Sequence, residues 1–220
     1  MIVSIARLAL FCGWAALAFI AASIGPNGAA LGQSTEVPAS GSRPLIGTQL
    51  LKALQVGGYV LYFRHTSTDF GQNDEKMTGY EDCARQRNLT EAGRAEARAI
   101  GVALRALDIP IGDVLASPFC RTRETGELIF GRAKATPAVR GGPAQAEAER
   151  YAELRTLLAN KVPRGTNVAI TSHGNPFHAV AGGPYLAEGE AAVIEPRGNE
   201  GFVVVARIRK DEWMGLSGAK

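Results

Sequence analysis

The apolar residues of this chain follow two alternating spacings. Residues 58–65, GYVLYFRH, form an almost continuous apolar run, which is typical of a strand buried on both faces of a sheet. After Thr90 the apolar positions change to helical spacing and predict one core-facing stripe. The stripe consists of Ala97, Ile100, Leu104 and Leu107. Thr90 suits the N-cap of this helix, and Glu91 suits its first turn, where the helix dipole favours an anion.

Further segments continue the alternation of helices and strands. Helices are predicted at 46–58 and 144–160, and strands at 113–117, at 166–174 before a Gly-Asn-Pro turn, and at 190–208 as two strands joined by a turn. The alternation predicts a single α/β domain over residues 43–220. We expect a three-layer α/β/α sandwich with a mostly parallel central sheet.

The N-terminus has the parts of a secretory signal peptide. A basic start and a long apolar run precede two small residues, Ala30 and Gly32, which favour cleavage before Gln33. We predict a signal peptide over 1–32, a flexible leader over 33–42, and a periplasmic or secreted protein. The alternative is an uncleaved anchor, because the apolar run reaches the lower limit of a membrane-spanning length. Membrane contact is expected only through this segment.

Composition and cysteine content narrow the function classes. The 220 residues are 46% hydrophobic and 20% charged, as in an ordinary globular protein. The formal net charge of +3 comes from 24 basic and 21 acidic residues without a block of one sign, so nucleic-acid binding is not predicted. In an exported protein Cys83 and Cys120 either form a disulfide or remain two buried thiols, and their spacing leaves both open. No histidine and cysteine cluster has zinc spacing, so no metal is predicted.

Polar side chains follow three predicted strands at the point where each strand ends. They are Arg64, His65 and Thr66 after the first strand, Ser117 and Arg121 after the second, and Ser172, His173 and Asn175 after the third. In an open α/β sheet the ligand cleft lies beyond the carboxyl ends of the strands, so we expect these residues to meet. The long polar loop 66–88 and the segment 182–190 are predicted to shape the mouth of this cleft.

Two histidines and two arginines at one sheet edge favour phosphoryl transfer through histidine. A neutral imidazole can attack phosphorus and form a phosphohistidine, which water then hydrolyses. Arginines donate paired hydrogen bonds to the phosphoryl oxygens and stabilise their charge. We expect Ser117 to cap a helix that has Pro118 and Arg121 in its first turn, where free N–H groups favour an anion.

Four segments in order resemble the histidine phosphatase superfamily, also called phosphoglycerate-mutase-like. They are FRHTSTD at 63–69, RNLTEAGRAEARAIG at 87–101, SPFCRTRETGEL at 117–128 and SHGNPF at 172–177. The resemblance implies His65 as the phosphorylated nucleophile and His173 as the second histidine of the pocket, without a cofactor. It implies Arg64 and Arg121 as phosphate ligands. Thr66 stands where the family usually has glycine, and we predict it as a further phosphate ligand unless its hydroxyl only fills space. The small size is similar to that of compact bacterial phosphatases of this superfamily.

The general acid of the family has no clear counterpart in this chain. Gly174 follows His173, where some members carry a carboxylate. The other candidates are Asp69, Glu190 and three glutamates expected on a helix surface, Glu147, Glu149 and Glu153. Without a general acid, only substrates with good leaving groups would turn over fast.

Three functions are compatible with these motifs and candidate residues. They are a metal-independent phosphomonoesterase for a small phosphorylated substrate, a phosphomutase-type transferase, and a phospho-ligand-binding relative with little turnover. The missing acid and the signal peptide argue against a glycolytic mutase. We expect His178 to pack against its surroundings, and Asn175 to be either the N-cap or the turn residue that starts the helix after the third strand. Arg85 and Arg87 lie either on the loop surface or on a basic rim.

Overall fold

The computed structural model describes residues 44–140 and 147–218. The predicted signal peptide 1–32 and leader 33–42 lie outside these residues. The helices are α1 (Gly47–Val56), α2 (Glu91–Ala106), α3 (Cys120–Phe130), α4 (Glu147–Arg150), α5 (Ala152–Ala159) and α6 (Gly174–Ala181). The strands are β1 (Val60–Arg64), β2 (Ile111–Ala116), β3 (Lys134–Ala135), β4 (Asn167–Ser172), β5 (Ala191–Pro196) and β6 (Phe202–Ile208). Among the described residues, no helix has both the length and the apolar composition needed to cross a membrane.

A six-stranded sheet with the order β3-β2-β4-β1-β5-β6 organises the described residues. β3, β2, β4 and β1 run parallel, and β5 and β6 continue the sheet beside β1 as antiparallel neighbours. The register pairs Arg64 with Ser172 and Ala116 with Thr171. β1, β2 and β4 therefore end at the same edge, and the predicted α/β class with a mostly parallel sheet is confirmed.

Helices cover both faces of the sheet, and successive side chains of β1 enter two different cores. Leu61 and Phe63 pack with residues of α1 and α2 and with Trp213. Tyr62 packs on the opposite face with residues of α5 and α6. The predicted apolar stripe of α2 is buried in the first of these cores. The strand is thus buried on both faces, as its continuous apolar run predicts.

The predicted cap at Ser117 is wrong, and of the two roles predicted for Asn175 the structure has the turn residue at the helix start rather than the N-cap. The helix after β2 has Phe119 at its N-cap and no side-chain cap bond, so Ser117 does not cap it. The helix after β4 has His173 at its N-cap, and Asn175 lies inside the first turn. In both cases a polar residue stands between the strand interior and the helix: Ser117 follows β2, and Ser172 is the last residue of β4. The Ser117 hydroxyl is engaged instead by the His173 ring, 2.8 Å from Nε2.

The predicted helix 144–160 is also interrupted. Tyr151, with φ −117° and ψ 16°, separates α4 from α5, and residues 144–146 lie outside the described part of the chain.

The Thr90 cap is confirmed, because its hydroxyl accepts a hydrogen bond from the Gly93 N–H at 2.9 Å. The two-residue strand β3 was not predicted, since so short a segment has no periodicity to detect.

A disulfide between Cys83 and Cys120 ties loop 66–88 to the first residue of α3. Of the two alternatives left open by the sequence, the structure has the bridge. Gln86 strengthens the attachment, because its side chain accepts from the Cys120 N–H at 3.0 Å and donates to the Tyr80 carbonyl at 2.9 Å. The loop is therefore held beside Arg121, which follows Cys120.

We expect loss of this disulfide to lower the free energy of unfolding by about 2–4 kcal/mol, because the bridge joins residues 37 apart and restricts the unfolded chain. Urea denaturation of the wild type and of the Cys83→Ser, Cys120→Ser variant, each with and without reductant, measures the change. Reductant should destabilise the wild type and leave the variant unaffected. Equal stability in all four samples would contradict the prediction.

Candidate active site

β1 and β4 place two histidines at one edge of the sheet. His65 follows β1, and its backbone N–H donates to the Ser172 carbonyl at 3.0 Å. His173 follows β4, and its carbonyl accepts from the Tyr62 hydroxyl at 2.9 Å. The two imidazole rings meet edge to face, with centroids 5.6 Å apart. The structure therefore brings together the two histidines that the sequence placed at separate strand ends.

One hydrogen bond of the His65 ring determines which nitrogen can react. Nδ1 lies 2.9 Å from the carbonyl oxygen of Thr66. A carbonyl only accepts, so Nδ1 carries the proton of the neutral ring. Nε2 then keeps its lone pair, which is the form required of a nucleophile or a base.

Both histidines are held in the neutral form. Burial is the largest cause that lowers the pKa of His65 to about 3; the hydrogen bond with Thr66 opposes the shift, and the charges of Arg121, Arg64 and Arg87 reinforce it. The pKa of His173 also lies well below its ordinary value, through burial and then the charge of Arg121. At pH 7 both rings are therefore uncharged although they lie among arginines.

Arg64 is oriented by the segment 182–190. Its Nη1 donates to the Leu186 carbonyl at 2.8 Å, and its Nη2 lies 3.4 Å from Oε1 of Glu188. Glu188 accepts two further hydrogen bonds from Thr68, at 2.7 Å from the hydroxyl and at 3.1 Å from the backbone N–H. The same carboxylate lies 3.9 Å from Nδ1 of His65. Glu188 thus joins the two loops that flank the site.

Arg121 is the second arginine at the sheet edge. It is 5% exposed, and its guanidinium lies over the Phe119 ring, 4.6 Å from the centroid. Nη1 donates to Oδ1 of Asp74 at 3.0 Å and to the Arg87 carbonyl at 3.2 Å. Burial favours the neutral form of Asp74, but the hydrogen bonds from Arg121 and from the Arg87 N–H outweigh it and lower the pKa of this carboxyl. Asp74 is therefore an ionised partner that positions Arg121.

The histidines open into a cleft of about 500 Å³. Its lining within the described residues includes five arginines, Arg64, Arg87, Arg121, Arg140 and Arg150. All of them except Arg140 have a buried Nε–H without a hydrogen-bond acceptor in the described part of the chain. The positive charge of these arginines, which one ionised carboxylate of the lining only partly offsets, favours a ligand with anionic oxygens. Gln72 and Tyr185 also line it, which supports the predicted role of loop 66–88 and segment 182–190 at its mouth.

Thr66 does not line the cleft. Its side chain is fully buried, and its hydroxyl lies 3.5 Å from Oγ1 of Thr125 on α3. The predicted phosphate contact of this hydroxyl therefore has no support, and the side chain fills space between β1 and α3. The backbone carbonyl of Thr66 serves the site instead, through its hydrogen bond with His65.

Four of the five carboxylates considered from the sequence, Asp69, Glu149, Glu153 and Glu190, do not line the cleft. Glu190 pairs with Arg207 at 2.7 Å, and Asp69, Glu149 and Glu153 are exposed. The side chain of Glu147 lies outside the described part of the chain. Sequence reasoning missed Asp74 and Glu188, since two carboxylates in irregular loops carry no periodic signal. Across residues 44–140 and 147–218, no group of three or more His, Cys, Asp or Glu side chains is placed to hold a metal ion.

Comparison with known families agrees with the motifs of the sequence. Residues 60–142 match the model of the histidine phosphatase superfamily (branch 1). The matched range contains Arg64, His65 and Arg121 and ends before His173. The model that matches over this range is thus that of the superfamily which the motifs resemble. No curated protein sequence matches the chain.

Several solved structures are similar to this chain at low identity. The protein histidine phosphatase SixA in complex with tungstate is 20% identical, with 69% of this chain and 97% of that chain covered and a TM-score of 0.48. A phosphoserine phosphatase variant from Entamoeba histolytica in complex with phosphoserine is 12% identical, with 70% and 98% covered and a TM-score of 0.49. A mycobacterial glucosyl-3-phosphoglycerate phosphatase is 15% identical, with 62% and 89% covered and a TM-score of 0.46.

We expect the ring resonances of His65 to keep neutral-form NMR shifts down to about pH 5, because its pKa is lowered to about 3, and those of His173 to keep them well below pH 6.5. Comparison with His65→Ala and His173→Ala assigns the signals. As the pH falls below 6.5, the unfolded chain binds protons that the folded chain does not, so stability should fall too. A titration midpoint near 6.5 for either ring would contradict this expectation.

Proposed function

We propose that this protein is a metal-independent phosphomonoesterase that acts on a small phosphorylated substrate through a phosphohistidine at His65. The observation that carries the proposal is the Nδ1 hydrogen bond of a neutral, buried His65, which directs the ring lone pair to Nε2. Arg64 and Arg121 flank this ring at the sheet edge and line the same cleft. The superfamily match over 60–142 supports a phosphatase.

In the first step, Nε2 of His65 attacks phosphorus and forms the N–P bond. The P–O bond to the leaving group breaks, and the leaving oxygen takes the bonding electrons and a proton from water. Arg64 and Arg121 donate to the phosphoryl oxygens, whose negative charge they stabilise. His173, held by Ser117, contributes a neutral ring beside the transferred group.

In the second step, water attacks phosphorus and loses a proton to solvent. The N–P electrons return to Nε2, and orthophosphate leaves. Asp74 is a poor general acid, because its lowered pKa keeps it ionised near neutral pH. The proposed enzyme therefore favours substrates whose leaving group needs little protonation.

Phosphate release from 4-nitrophenyl phosphate in the presence of EDTA tests the proposal. We expect turnover by the wild type and a decrease of kcat/KM by about a thousandfold or more in His65→Ala, because the nucleophile is lost. His178→Ala is the matched control: His178 stacks on Tyr185 and does not line the cleft, so activity should stay within about threefold. Quenched labelling should also give an acid-labile phosphoenzyme that His65→Ala lacks.

A phospho-ligand-binding protein with little turnover is the second candidate. One observation favours it. Within the described residues Asp74 is the carboxylate that lines the cleft, and its lowered pKa keeps it ionised, so it is a poor general acid. Orthophosphate binding by calorimetry without turnover of any aryl phosphate would support this candidate and sink the phosphatase proposal. EDTA-resistant turnover that His65→Ala abolishes would sink the binding-only alternative.

We also propose that the protein acts outside the cytoplasm. The support is the predicted cleavage site before Gln33, together with the Cys83–Cys120 disulfide, since disulfides persist in oxidising compartments. Expression in a Gram-negative host, fractionation and N-terminal sequencing test this. We expect a periplasmic protein that begins at Gln33, whereas a cytoplasmic chain that begins at Met1 would contradict the proposal.

A further inference from the structure

The positive charge of the cleft exceeds what one phosphoryl group requires. Five arginines line it against one carboxylate, Asp74, and both histidines are neutral, which leaves four positive charges. Glu188 pairs with Arg64 without lining the cleft, and counting it still leaves three. A phosphate monoester carries about two negative charges at pH 7. At least one positive charge therefore has no counterpart in a simple monoester.

Three of the cleft arginines, Arg87, Arg140 and Arg150, have a guanidinium without an ion pair to a described carboxylate, and we call Arg140 and Arg150 the second arginine pair. Arg64 and Arg121 each have a carboxylate partner, Glu188 at 3.4 Å and Asp74 at 3.0 Å. Among the side chains that the structure describes, which do not include that of Glu147, the second arginine pair forms no ion pair with a carboxylate. The two members come from elements after β3, whereas Arg64 and Arg121 come from the sheet edge.

Aromatic rings place the second arginine pair against the walls of the cleft. The Arg140 guanidinium lies 5.3 Å from the centroid of the Phe119 ring, the same ring that Arg121 contacts at 4.6 Å. The Arg150 guanidinium lies 5.6 Å from the centroid of the Tyr151 ring, and both rings line the cleft. Contact with an aromatic face holds a guanidinium in place and leaves its N–H edge free to donate. The Nε–H of Arg150 is buried without an acceptor in the described part of the chain.

The surplus arginines have two explanations, long-range steering of anions and direct contact with a bound ligand. Steering is the simpler one, and the two differ in how strongly salt weakens them. Steering by exposed charges is screened at physiological ionic strength. Direct contact by a partly buried guanidinium is screened much less and depends on where the ligand carries its charge. Arg140 and Arg150 are only partly exposed, which favours direct contact.

We propose that the substrate carries a second anionic group, phosphate or carboxylate, and that Arg140 and Arg150 bind it while Arg64 and Arg121 hold the transferred phosphoryl group. The inference rests on the proposed function and narrows its substrate class to phosphomonoesters with a second anion. Phe119, which touches arginines of both pairs, forms the wall between the two anion subsites.

Calorimetry with phosphonates tests the inference without depending on turnover, because the C–P bond is not hydrolysed. The ligands are propylphosphonate, α,ω-alkanebisphosphonates of three to six carbons, and ω-phosphonocarboxylates of the same lengths, at physiological ionic strength. We expect at least one two-anion ligand to bind the full chain about tenfold or more tighter than propylphosphonate. The better series identifies the second anion as phosphate or carboxylate.

Variants show whether the second arginine pair causes the preference. In Arg140→Gln, Arg150→Gln, the affinity ratio of the best two-anion ligand to propylphosphonate should fall to within about twofold, and each single variant should lose part of it. Arg98→Gln, which removes an exposed arginine of α2, is the matched charge control and should keep the ratio. Thermal unfolding confirms that each variant is folded.

Two outcomes overturn the inference and separate it from the proposed function. Binding of propylphosphonate without any preference for a second anion, or a preference that persists in the double variant, overturns the inference alone. Failure of every phosphonate to bind folded wild-type protein overturns the phosphate site as well.

Discussion

His65 and His173 are far apart in the sequence, and they meet because β1 and β4 pair in parallel and end at the same edge. An antiparallel pairing would have sent the two strand ends to opposite edges of the sheet. The parallel register depends on the burial of β1 on both faces, where Leu61, Tyr62 and Phe63 are fully excluded from solvent. The hydrophobic core therefore sets the distance between the two polar rings.

Burial and the arginine charges together determine the electrostatics of the site. Burial and the arginine charges lower the pKa of His65, so the ring stays neutral, and the same charges attract an anion. Asp74 and Glu188 hold Arg121 and Arg64 in place without neutralising the cleft. Burial is thus the main cause of the neutral His65 ring, while the arginine charges contribute to it and also favour an anion in the cleft.

The differences between prediction and structure share a cause. The Ser-Pro pair after the second predicted strand indicates a cap at Ser117, yet the actual start of the helix depends on where the strand before it leaves the sheet. Of the two roles that the sequence leaves open for the Thr66 hydroxyl, phosphate contact or space filling, its burial against α3 favours the second. Asp74 and Glu188 were missed because their roles depend on loop conformations. Each of these positions is determined by contacts distant in the sequence.

Local sequence determined every strand except β3, most helices, the α/β class and the strand-end residues Arg64, His65, Arg121 and His173, because apolar periodicity depends on near neighbours. Only the tertiary structure decided which groups surround them: the Thr66 carbonyl on Nδ1, the carboxylates on the two arginines, and the disulfide that holds loop 66–88 against α3. These contacts join irregular segments distant in the sequence, and their geometry is set by the packing of the sheet and helices between them.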